Sequence, residues 1–155
     1  MRGAALAAFA LLWAAPATAQ GFTDPIPYCR AVGTIDRADA RYAGPKLPDW
    51  MAAKLGLAPN QAAMMEWRCA RGRVLACVYG ANLPCGARAV TSRKPTGAIT
   101  EFCRDHPDAR FVPMVVTGHE TVVSWACRGK RPAVTSVASV DAQGYAKAIW
   151  QQVAP

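Results

Sequence analysis

Over residues 95–106, apolar side chains return at Ile99, Phe102 and Cys103, and the stripe continues to His106. That i, i+3, i+4, i+7 spacing predicts a helix over 95–105 with one buried face, closed by His106-Pro107-Asp108. A shorter helix is expected from Pro48 to about Leu55. Proline suits its first turn, Met51 and Leu55 share a face, and Gly56 suits the position just past the end. Elsewhere the pattern changes to alternation. Met64–Cys69 and Val74–Gly80 read as two strands of a hairpin joined by Ala-Arg-Gly-Arg at 70–73. Trp67 and Cys69 then lie on one face and Cys77 on the other. The last third reads as an antiparallel meander of Phe111–Thr117, Glu120–Cys127, Ala133–Val140 and Tyr145–Val153. Its turns fall at Gly118-His119, at 128–132 and at 141–144, each with a Gly or Pro. Pro113 puts its strand at a sheet edge or a bulge. Residues 20–27 read as an extended lead, 28–47 as irregular, 58–63 as a linker or helical turn, and 80–94 as a loop. Together these predict an α+β domain: an antiparallel sheet of about six strands, hairpin plus meander, with two short helices.

The first residues follow another logic. Arg2 precedes an apolar run from Ala4 to Ala15, and Ala17-Thr18-Ala19 is a small-x-small cleavage site. This predicts a signal peptide over 1–19 and a single secreted domain over 20–155. The run is too short to span a bilayer, which takes roughly 20 residues. Charges interrupt every later apolar stretch, so no transmembrane anchor is expected. No cysteine stands at the cleavage point to carry a lipid. The expected location is periplasmic or secreted.

Export changes how the cysteines are read. Cys29, Cys69, Cys77, Cys85, Cys103 and Cys127 are even in number and all follow the signal, so three disulfides are expected. There is no Cys-x-x-Cys, which removes thioredoxin-like redox chemistry, zinc ribbons and c-type haem attachment. Sequence alone does not choose among the possible pairings. We favour Cys85–Cys103, because the loop between them is short and Cys103 falls on the apolar face of a helix. Such a bridge stabilises by about 3 kcal/mol on the chain-entropy model.

Charge adds a hint about partners. Loss of Arg2 with the signal leaves 17 Lys and Arg against 10 Asp and Glu, a net charge of +7. A basic exported protein meets acidic material such as lipid headgroups, acidic polymers or acidic proteins. Export and the scatter of the basic residues argue against nucleic acid. Two segments share a pattern: Trp67-Arg68-Cys69-Ala70-Arg71-Gly72-Arg73 and Trp125-Ala126-Cys127-Arg128-Gly129-Lys130-Arg131. In each, a Trp packs inward, a Cys anchors the strand end, and Gly takes the turn. Were the two hairpins neighbours, Arg71, Arg73, Arg128, Lys130 and Arg131 would form one basic rim, the candidate site for an acidic ligand.

No catalytic constellation stands out. His106 and His119 are the only histidines. They read as a helix C-terminal residue and a turn residue, and no metal or other cofactor is expected. None of Ser92, Ser124, Ser136 and Ser139 lies in a nucleophile-elbow motif. Glu66, Glu101 and Glu120 offer little for a paired-carboxylate hydrolase. Trp50, Trp67, Trp125 and Trp150 are assigned to the core.

The run Glu66-Trp67-Arg68-Cys69-Ala70-Arg71-Gly72-Arg73-Val74-Leu75 resembles the opening hairpin of periplasmic inhibitors of C-type lysozyme. The Ser-Gly-x-x-Tyr segment by which those enter the lysozyme cleft has no counterpart, so no inhibitory residue is carried over. Over most of its length after the signal, the chain resembles small exported proteobacterial proteins of unknown function. The resemblance is carried by Tyr28-Cys29-Arg30-Ala31-Val32-Gly33-Thr34-Ile35-Asp36, Gly80-Ala81-Asn82-Leu83-Pro84-Cys85 and Val140-Asp141-Ala142-Gln143-Gly144-Tyr145. It implies a periplasmic origin and no activity. The expected function is a non-enzymatic binding domain, monomeric, for an acidic envelope component or a periplasmic protein. The alternatives are an enzyme inhibitor presenting the stapled loop Leu83 to Arg88, and a small cell-wall hydrolase using Glu66 or Glu120 with a histidine.

Overall fold

The computed structural model describes residues 21–80 and 84–155. The expected signal peptide and Leu83 of the stapled loop lie outside them. The general α+β class holds, with a three-stranded and a two-stranded antiparallel sheet among the described residues in place of one sheet of about six strands.

The first helix of the described residues is α1 (Pro25–Val32), where an extended and irregular segment was expected. Asp24 caps it, its carboxylate accepting the Ile26 N–H at 2.7 Å. Pro25 and Pro27 fall in the first turn, where a missing N–H leaves no bond unmade. Helix α2 (Asp49–Leu55) matches its expectation, and Gly56 ends it in the left-handed conformation. A 3₁₀ turn over Pro59–Met64 leads into β1 (Met65–Ala70) and β2 (Arg73–Val78). Their register pairs Trp67 with Ala76 and Cys69 with Val74. Arg71 and Gly72 take the turn with φ of 52° and 75°, as a two-residue turn with both central residues left-handed requires.

Helix α3 (Gly97–Asp105) starts at Thr96, whose hydroxyl accepts the Ile99 N–H, and buries Ile99 and Cys103. The expected strand at 111–117 is instead split. Residues 109–112 run along the second sheet, with Cys127 N–H donating to the Ala109 carbonyl and Val112 N–H to that of Trp125, both at 2.8 Å. Pro113 then starts a short helix, α4 (Met114–Thr117). Proline can open a helix but gives nothing to a ladder. The second hairpin is β3 (Val123–Arg128) and β4 (Arg131–Val137), with Thr135 as an extra residue in β4. The expected last strand reduces to β5 (Gln151–Gln152), and it pairs with β2, not β4. The meander is therefore broken, and the C-terminus returns to the first sheet.

The disulfides are Cys29–Cys69, Cys77–Cys85 and Cys103–Cys127. This corrects the Cys85–Cys103 pairing. Cys103 does lie on the buried face of α3, but that face meets β3 and so Cys127. Cys77 points to the opposite face of the first hairpin from Cys69, towards the loop that follows β2, where Cys85 waits. Two hydrophobic clusters result. The larger gathers Tyr28, Met51, Met65, Trp67 and Ala76; the smaller gathers Ile99, Val112, Val123 and Trp125. Among the described residues, no helix is long and apolar enough to cross a membrane.

Candidate binding surface

The first hairpin tip is built onto the end of α1. Gly72 N–H donates to the Gly33 carbonyl at 2.7 Å, and Arg71 N–H to the Thr34 hydroxyl at 2.9 Å. Gly72 sits against the Arg30 backbone. Arg30, Arg71 and Arg73 are thus exposed around one turn. Arg73 bonds only a neutral amide, that of Gln152, at 3.2 Å, so its charge is left uncompensated. Two cavities flank the tip. One, about 340 Å³, has Thr34, Arg71, Asp141 and Lys147 in its wall. The other, about 200 Å³, has Arg30, Arg73 and Gln152. Arg30 and Lys147 were invisible as site residues in the sequence, because only tertiary folding brings them beside Arg71 and Arg73.

The second tip rests on the end of α3. The Asp108 carboxylate accepts the Gly129 N–H at 2.7 Å, and Asp108 N–H donates back to the Gly129 carbonyl. Arg128, Lys130 and Arg131 stand exposed on it. Of the five candidate residues, Arg71 and Arg73 stand on the first tip and Arg128, Lys130 and Arg131 on the second. Each tip packs on its own helix. Among the described residues, the ion pairs use Arg41, Lys46, Arg68, Arg88 and Arg104. Every tip cation is outside them.

On the opposite face of β1 from Trp67 and Cys69 lies a buried charge. Arg68 is 0% exposed. Its guanidinium stacks between the rings of Tyr145 and Trp150, 4.4 and 4.5 Å from their centroids, and donates to Asp141 and Gln143. Gln143 donates onward to Asp36 at 2.6 Å, and Arg88 reaches the other oxygen of Asp36, also at 2.6 Å. Burial pushes the Asp141 carboxyl up, but the Tyr145 N–H, Arg68 and the Gln143 N–H outweigh it and hold it below the ordinary carboxylate value. Burial likewise raises Asp36, and Arg88 and Gln143 overcome it to the same net effect. A fully buried guanidinium with a carboxylate, an amide and two aromatic faces is a structural clamp.

The residues of the alternative readings are dispersed. Glu66 pairs with Lys46 at 3.1 Å and accepts the Tyr79 hydroxyl at 3.4 Å. It edges a cavity of about 240 Å³ walled by Tyr42 and Trp67. Burial and the nearby Asp24 carboxylate push Tyr42 up to about 12. Glu120 is exposed in the turn before β3. His106 stacks on Phe102, 4.4 Å between centroids, at the C-terminal end of α3, and His119 lies in the exposed turn before β3. No hydrogen bond joins a glutamate to a histidine among the described residues. In the stapled loop, Cys85 is buried and Arg88 is held by Asp36. Among the described residues, no three His, Cys, Asp or Glu side chains gather closely enough to hold a metal ion. Comparison of the chain with models of known protein families, with curated proteins and with solved structures finds no match.

Proposed function

We propose that this chain is an exported, non-enzymatic binding domain that meets an acidic surface or partner through its basic hairpin tips. The observation that carries the reading is the set of basic side chains outside any ion pair on two stiffened turns. Arg30, Arg71, Arg73 and Lys147 surround one tip, and Arg128, Lys130 and Arg131 form the other, with no carboxylate paired to any of them among the described residues. Each turn has only two residues, and a disulfide stands directly behind it, at Cys69 or Cys127. A binding surface held in one conformation loses less entropy on association. Three disulfides and the absence of a membrane-crossing helix among the described residues are compatible with a periplasmic or secreted location.

The test is retention of the oxidised protein on anionic phospholipid vesicles and on immobilised polyglutamate. Retention is expected to fall steeply as the Debye length shrinks from about 10 Å at 0.1 M salt to about 3 Å at 1 M. Gln substitutions at Arg71, Arg73, Lys130 and Arg131 should weaken it. Retention that ignores salt on both surfaces would sink the reading.

A further inference from the structure

The two hairpins differ in their edges. In the first sheet Ile35 bridges Cys69 on the outside of β1, with bonds of 3.0 and 3.1 Å, and the two-residue β5 covers part of β2. In the second sheet residues 109–112 cover β3, but among the described residues no backbone hydrogen bond reaches the outer side of β4 (Arg131–Val137). From Pro132 to Val140 the chain carries no charge, and Val134 to Ser139 are exposed. A bare edge strand is a template for another strand. Its basic end is the second tip, so the edge is polarised: Arg128, Lys130 and Arg131 at one end, neutral β-formers beyond.

We infer that β4 takes up an extended acidic polypeptide segment as an added antiparallel strand. An antiparallel addition places the C-terminal end of the guest beside Arg131, so its Asp and Glu residues belong at that end. Main-chain hydrogen bonds hold the guest. Pro132, which has no N–H, and the extra residue Thr135 blunt the edge against open-ended stacking. The +7 charge of the chain beyond residue 19 opposes a second copy as the guest. This inference rests on the acidic-partner reading and specifies the partner's form.

The experiment titrates ¹⁵N-labelled oxidised protein with a synthetic peptide, acetyl-Thr-Val-Thr-Val-Thr-Glu-Asp-Glu-amide, and reads each amide's shift and hydrogen exchange. The expected result is slowed exchange confined to Ala133–Val137, with shifts there and at the second tip. N-methylation of the guest's bonding edge, at unchanged charge, should weaken binding by about ten-fold or more, since buried main-chain donors are lost. Lys130→Gln with Arg131→Gln should weaken it as well, and Arg71→Gln with Arg73→Gln should not. Equal binding by the N-methylated peptide, or perturbation at the tips alone, overturns the added strand and leaves the charge-driven reading standing. Self-association through β4 without peptide overturns the choice of guest. Salt-insensitive retention in the vesicle and polyglutamate test would instead remove the reading beneath it.

Discussion

Trp67 and Trp125 hold the same place in two similar modules. Each stands two residues ahead of a cysteine that ties a strand to a helix earlier in the chain, Cys69 to α1 and Cys127 to α3. Each strand then runs into a two-residue turn tipped with basic side chains. The surroundings differ. The first module sits inside the larger hydrophobic cluster, with Ile35 bridged to β1, β5 paired to β2 and its far face sealed by the Arg68 clamp. The second has the smaller cluster, and most of β4 is exposed. One local pattern thus gives a structural centre in one context and an accessible strand in the other. What separates them is what later segments cover, since a strand edge is inert only when its donors and acceptors are met.

The largest effect should come from Asp141→Ala, which strips the buried Arg68 of its carboxylate. Loss of one partner of a buried pair costs about 3–5 kcal/mol, read from urea unfolding midpoints. At the second module, Asp108→Ala removes one exposed hydrogen bond and should cost only about 1 kcal/mol. Equal losses would erase the distinction between centre and periphery. Replacing each disulfide by two alanines should rank by loop length: roughly 4 kcal/mol for Cys29–Cys69, roughly 3.5 for Cys103–Cys127 and roughly 2.5 for Cys77–Cys85. Thermal unfolding of the three variants tests the order. A core substitution sharpens the contrast further. Ala76→Thr on β2 overpacks a fully buried site and should cost about 1–3 kcal/mol. Val134→Thr on β4 should stay within about 0.5 kcal/mol.

The smallest effect is in acid. Asp36 and Asp141 both have folded values below their ordinary carboxylate value. Their contribution is complete above the unfolded value, about 3.9, and is lost as pH falls through the lower folded values. The melting temperature should therefore decline below about pH 4, and Asp36→Asn should flatten that decline. A decline identical in wild type and variant would count against the clamp as the acid-sensitive part.

The first hairpin, the helices at 49–55 and 97–105 and the turns at 71–72 and 141–144 were legible because each is written within a few residues. Alternation, a Pro or Thr at a helix start and a glycine at a turn are local signals. Helix α1 was missed because Pro25 and Pro27 read as breakers, although in a first turn behind Asp24 they are compatible with helix. Arg68 occupies a strand position whose neighbours point inward, and nothing local marks it as buried. Its partners at Asp141, Gln143, Tyr145 and Trp150 are remote in the chain. The basic tips were legible as tips, but Arg30 and Lys147 join the first only through folding.

By itself the sequence determined the α+β character, the oxidised cysteine frame and two stiff basic turns, since period, cysteine parity and turn chemistry are short-range or countable. Only the tertiary structure decided which cysteines pair, that the C-terminus returns to β2, and that β4 is left bare. Those outcomes depend on which faces can be buried together across long loops. Loop closure costs grow slowly with length, so distant partners compete nearly on equal terms, and packing chooses among them.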